Sequence, residues 1–124
     1  MLTQFGIYCR KLRLDNGELL KHMATKLGVS SSYLSAVEIG KRNVPHDWLE
    51  KITSLYQLSA EEVESLKLSI KNSQPSIKID LRNTNNQEKD LVIAFAREFK
   101  DLNEDDKAKI LNILRRNSNG EVKY

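Results

Sequence analysis

The chain has 124 residues, a formal net charge of +3, 40% apolar and 30% charged residues, five Gly, two Pro and one Cys. That length holds one domain, or one small domain with an appendage, and sparse Gly and Pro among many Leu, Lys and Glu favour helix. No run of about 18 apolar residues suggests a membrane span, no apolar signal core follows Met1, and a lone Cys9 cannot make an intramolecular disulfide, so a cytoplasmic protein is expected. The first helix is predicted from about Gln4 to Leu14. Phe5, Tyr8, Cys9 and Leu12 fall on one side at helical spacing, with Cys9 a small core or boundary residue. Asp15-Asn16-Gly17 then reads as a turn.

The stretch from Leu20 to Ile39, LKHMATKLGVSSSYLSAVEI, organises the chain. It reads as two short helices, from about Glu18 to Leu27 and from about Ser31 to Ile39, with Gly40 ending the second. Ala24 is small enough for a second helix to cross closely. Gly28 stands where the chain must turn, a place at which positive φ suits glycine. Met23, Leu27, Val29, Leu34 and Val37 are the apolar positions that bury the corner. Ser30 can cap the second helix by accepting from an amide two or three residues on. Val29 and Leu34 flank it at staple spacing. These are the parts of a helix-turn-helix, whose second helix enters the DNA major groove.

With LGVSSSYLSAVEIGKRN at its centre, the tract 20–43 resembles the Cro-like, xenobiotic-response-element family of bacterial and phage regulators. The small residue, turn Gly, capping Ser, Glu and Gly-Lys-Arg occur at matching intervals. The resemblance extends over residues 5–72 and implies a five-helix, lambda-repressor-like domain. It implies base contacts from Ser31, Ser32, Tyr33 and Ser35, on the N-terminal half and exposed face of helix three. It also implies an ion pair between Arg13, at the end of helix one, and Glu38, at the end of the recognition helix. Arginine suits that role because its planar fork can hold a carboxylate with two hydrogen bonds. One position departs. The family usually opens helix two with Thr-Gln, the Gln touching phosphate or supporting a base contact, whereas this chain has Leu19 and Leu20.

Charge distribution agrees with this reading. Residues 1–45 hold seven Lys or Arg against three acids, a net +4, and the remainder is −1. Positive charge therefore gathers around the helix-turn-helix, where phosphates would be met. Lys41, Arg42 and Asn43 form an exposed loop with donors placed to hold the DNA backbone, and Ser30 joins them as a phosphate contact.

Val44-Pro45 starts a fourth helix, His46 to Tyr56, with Trp48, Leu49 and Ile52 on its buried face. Trp48 reads as a core anchor. Ser59-Ala60-Glu61-Glu62 is a capping box that opens a fifth helix ending near Asn72, with Val63, Leu66 and Ile70 inward. Ser73-Gln74-Pro75 breaks the pattern, which places the domain boundary between a DNA-binding domain, 1–73, and a C-terminal region, 74–124.

In that region Ile77, Ile79 and Leu81 alternate with Lys78, Asp80 and Arg82, the period of a half-buried strand. One strand cannot satisfy its own backbone, so its expected partner is the same strand of a second subunit. The alternative is an extended linker resting on helix five. A sixth helix is predicted from about Gln87 to Lys100, with Val92, Phe95, Ala96 and Phe99 as its stripe. A seventh follows an Asn103 cap, with acids at its start and Arg115-Arg116 at its end. Residues after Asn117 read as frayed.

The predicted fold class is thus mostly α: a five-helix domain followed by a short strand and two helices. No phosphate loop, nucleophile elbow or metal motif occurs, and His22 and His46 lack ligand-spaced neighbours. No enzymatic activity, cofactor, metal or membrane partner is expected. The expected partner is double-stranded DNA, bound by a homodimer held by Ile77, Ile79, Leu81, Phe95 and Phe99. The expected function is that of a dimeric repressor on a palindromic operator of a phage or mobile element. The alternative is an antitoxin that neutralises a toxin or other protein partner and represses its own operon.

Overall fold

Short polar side chains decide where most of the helices begin. In the computed structural model, which describes residues 1–117, Thr3 Oγ1 accepts from the Gly6 amide at 3.1 Å and opens α1, Gln4–Asp15. Ser30 Oγ accepts from Tyr33 N at 3.0 Å and opens α3, Ser31–Glu38. Ser59 and Glu62 exchange side-chain and amide hydrogen bonds, the reciprocal pattern of a capping box, and open α5, Ala60–Lys71. Asn85 and Glu88 repeat that pattern for α6, Asn86–Glu98, and Asn103 caps α7, Glu104–Asn117. Helix α2, Leu20–Leu27, has the apolar Leu19 at its cap, so only half a box forms: His22 Nδ1 accepts from the Leu19 amide at 2.9 Å. Helix α4 spans Trp48–Leu55 and begins after a turn closed by Trp48 N donating to Pro45 O.

The chain divides into two units between Lys78 and Ile79. The first holds α1 to α5 around one core. Phe5, Met23, Leu34, Trp48, Ile52 and Leu66 are fully buried there, one or more from each helix. Full burial of side chains of this size contributes about 1.5–3 kcal/mol each. Gly28 ends α2 with φ +74, a left-handed conformation that glycine adopts without the steric cost a Cβ brings. The Val29 amide reaches back to Ala24 O at 3.0 Å, which closes the corner between α2 and α3. Gly6 serves a different need. A Cβ there would lie 2.3 Å from the carbonyl oxygen of Glu38, because α1 crosses the end of α3 backbone against side chain-free backbone.

The second unit holds α6, a single 3-10 turn at Phe99–Asp101, and α7. No side chain of these elements is buried. Phe95 and Phe99 stack at 5.8 Å between centroids. With Ile110, Leu111 and Leu114 they line an apolar cleft of about 220 Å³.

The expected strand over residues 77–82 is absent, and among the described residues the chain is all helical. The fold class is therefore corrected to a wholly helical one. Alternation supplies the pattern of a strand but not its ladder, and among the described residues no other segment offers a partner edge. Local bonds occupy the segment instead: the Asp80 carboxylate accepts from the Arg82 amide at 2.9 Å and from its guanidinium. Ile77 and Ile79 are exposed, Leu81 is half-buried, and none of them lies in a sheet. The frayed end expected after Asn117 lies outside the described residues.

Candidate nucleic-acid interface

Helix α3 presents its side chains on different faces because of its 100° step per residue. Ser31, Ser32 and Ser35 fall on one face. Together with Ala36 and Lys41 they line a shallow groove of about 410 Å³ along the outside of the helix. Leu20 of α2 and Ile39 complete it, so an apolar side chain stands where the family resemblance would place a glutamine. Ser30 remains exposed. Its Oγ accepts from Tyr33 N, and a hydroxyl that accepts in this way still has a proton to donate.

Tyr33 is on another face. Its ring meets Trp48 edge-on at 6.1 Å, and Trp48 in turn packs on Phe5 at 6.2 Å. The Arg42 guanidinium sits 5.1 Å above the Tyr33 ring. A stack of four side chains thus runs from the core to an exposed cation. Such cation–π contacts are worth about 0.5–1 kcal/mol at the surface, enough to bias where Arg42 stands. Lys41 and Arg42 are exposed. Asn43 is exposed too, but its amide group is engaged: Nδ2 donates to Ser76 Oγ at 3.0 Å and Oδ1 accepts from Ser76 N at 3.3 Å.

The back of α3 is held by an ion pair. Arg13 Nη1 and Nη2 donate to Glu38 Oε2 and Oε1 at 2.6 and 3.1 Å, a bidentate fork. Both residues are buried, at 7% and 3% exposure. The hydrogen bond to Glu38 raises the Arg13 pKa further, against the opposing effect of burial. The backbone at Glu38 is fixed as well: its carbonyl accepts from Thr3 N at 2.9 Å and Thr3 Oγ1 at 2.8 Å. Helix three is therefore clamped to α1 at its C-terminal end, leaving its serine face outward.

A second cluster ties α2 to α4. Tyr56 OH donates to Glu18 Oε1 at 2.7 Å, Lys26 pairs with the same carboxylate, and Lys26 lies 5.0 Å from the Tyr56 ring centroid. Burial would raise the Glu18 pKa, but the Lys26 and Tyr56 hydrogen bonds outweigh it and the net shift is downward. Burial, then the bond to Glu18, pushes the Tyr56 phenol up. Nothing in the periodicity of the chain signals the bond of Tyr56 to Glu18, 38 positions away, nor the engagement of Asn43 by Ser76, 33 positions away. Among the described residues no three His, Cys, Asp or Glu side chains converge as metal ligands would, and no helix is long and apolar enough to cross a membrane.

Residues 4–66, just over half of the chain, match the family described as the helix-turn-helix domain. The chain belongs to that family. It is a DNA-binding regulator by that membership, and the helix-turn-helix proper is α2, the Gly28 turn and α3. No curated protein and no solved structure matches the chain. Within this helix-turn-helix domain the structure brings Ser31, Ser32 and Ser35 together with Lys41, and it seats Arg42 on Tyr33 a short distance away.

Proposed function

We propose that this protein is a sequence-specific transcriptional repressor of the Cro-like type, acting as a homodimer on a palindromic operator. The observation that carries the reading is the hydroxyl-lined outer face of α3, flanked by exposed Lys41 and Arg42 and locked from behind by Arg13 and Glu38. Serine hydroxyls can donate or accept, so each reads a base edge permissively. DNA shape then shares in the choice of site. The likeness of residues 20–43 to Cro-like regulators supports repression at a phage or mobile-element promoter. The reading assigns the chain no catalytic step.

The second unit supports dimerisation by another copy of itself. Between residues 79 and 117 eight Lys or Arg face eight Asp or Glu, so like copies carry no net repulsion. Helix α7 is acidic in its first turn, at Glu104, Asp105 and Asp106, and basic in its last, at Arg115 and Arg116. Antiparallel pairing of two α7 helices about a twofold axis sets each acidic end beside a basic one. It also covers the apolar cleft that holds Phe95 and Phe99. A twofold dimer doubles the contact set on a palindrome.

Selection of binding sites from random duplexes tests the DNA reading. A palindromic consensus is expected, and Ser32→Ala should lower preference for it over random DNA. Lys41→Ala should weaken both and reduce the salt slope by about one contact. No enrichment after selection would end this reading. Light scattering on the full chain tests assembly. A monomer at micromolar concentration, with and without DNA, would refute the dimer and leave the cleft to a different protein, as in an antitoxin.

A further inference from the structure

The segment after α5 folds back on the loop that leaves the recognition helix. Gln74 Oε1 accepts from Val44 N at 2.7 Å, and Gln74 Nε2 donates to Val44 O at 3.3 Å. One side chain thus satisfies both backbone groups of a buried residue, as a neighbouring strand would. The next pair has the same reciprocal form: Asn43 and Ser76 exchange two hydrogen bonds. The base of the segment is anchored independently. Ser73 Oγ accepts from Phe5 N at 3.0 Å and donates to Ser69 O at 2.6 Å, in a buried position.

We propose that Gln74 and Ser76 are positioning residues for DNA binding: they hold the loop 41–44 so that Lys41 and Arg42 stand ready beside the groove of α3. The inference rests on the DNA reading above. The physical reason is preorganisation. The loop has no regular structure of its own, and ordering it on contact with DNA would subtract from affinity. Four hydrogen bonds from a segment about thirty residues downstream order it in advance. Because Lys41 and Arg42 would meet phosphates, the contribution is independent of base sequence, and a short random-sequence duplex suffices as the probe.

The experiment measures binding of the full chain to that duplex over a salt series. Gln74→Met keeps the length of the side chain and removes both bonds to Val44. Affinity should fall on the order of tenfold, the equivalent of one or two net hydrogen bonds, and the salt slope should become shallower. Amide exchange at Val44 should quicken, and the thermal midpoint should fall by about 5–15 °C without loss of the fold at the temperature of the binding assay. Ser76→Ala, an exposed change that tests the same strap should Gln74→Met prevent folding, should give a smaller loss of the same kind. In a Lys41→Ala/Arg42→Ala background, Gln74→Met should cost almost nothing more, since it acts through those two cations. Full additivity, or an unchanged affinity and slope, would overturn the strap while leaving the DNA reading intact. A parent chain that does not bind the duplex, or is indifferent to Lys41→Ala/Arg42→Ala, would overturn both.

Discussion

Replacing Arg13 by Met should be among the most damaging single changes in the first unit. The guanidinium makes two charge-assisted bonds to Glu38, at 2.6 and 3.1 Å, and Nη1 also approaches Met23 Sδ at 3.3 Å. Methionine fills much of the space but leaves the Glu38 carboxylate, 3% exposed, without its counter-ion. Breaking a buried pair from one side costs about 3–5 kcal/mol. In a domain of this size each kcal/mol lowers the midpoint by about 4–8 °C, so the lower figure corresponds to a drop of roughly 12–24 °C. Glu38→Gln keeps the shape and one acceptor and should cost less. Arg13→Met combined with Glu38→Leu removes both charges and should cost well under the sum of the two single changes. Trp48, the single tryptophan, is buried in the core of this unit, so its fluorescence in urea reports on the unit alone. A double-mutant coupling within about 0.5 kcal/mol of zero, or a cost below about 1 kcal/mol for Arg13→Met, would refute the view that the pair locks α3 to α1.

Gly6→Ala places a methyl group 2.3 Å from Glu38 O, a backbone atom. Helix α1 must then shift against α3, a strain of about 1–3 kcal/mol or more, visible as a lower urea midpoint; a neutral result would mean that the crossing is looser than described. Cys9 is buried and its thiol is pushed well up in pKa by that burial, so thiol reagents should label it only at the rate of unfolding, and rapid labelling of the native chain would contradict this. Glu18 is held below its ordinary value of 4.5. A carboxylate with a depressed folded pKa stabilises above its unfolded pKa and loses that contribution as pH falls through the folded one. The advantage of the parent over Glu18→Gln should therefore be constant near neutrality, begin to fall near pH 4.5 and be lost once the pH is below the depressed folded value, and an advantage unchanged down to full protonation would disprove the linkage.

Much of the first unit was legible along the chain because its signals are local. Thr3 was not among the expected caps, but Ser30 and Ser59 act within three residues of themselves, as Asn103 does in the second unit, and Gly28 within one turn. Helical stripes likewise name the buried residues of their own helix, as with Leu12, Leu34 and Ile52. The start of α4 was less legible: Pro45 was expected to open it, yet the helix begins at Trp48 after a separate turn. The alternation at Ile77, Ile79 and Leu81 misled for a stated reason: period two describes where side chains point and cannot supply the second edge that makes a strand.

The sequence by itself determined the helices, the corner at Gly28 and the serines available to α3, because caps, turns and stripes are properties of neighbouring residues. Only the tertiary structure decided which side chains share a surface. It set Ser31, Ser32, Ser35 and Lys41 along one groove, turned Tyr33 toward Trp48 and Arg42, and tied Asn43 and Val44 to Ser76 and Gln74. It also made Gly6 indispensable, through a carbonyl thirty-two residues away. Such contacts depend on how whole helices cross, and a crossing is fixed by the summed packing of the core rather than by any residue beside it in the chain.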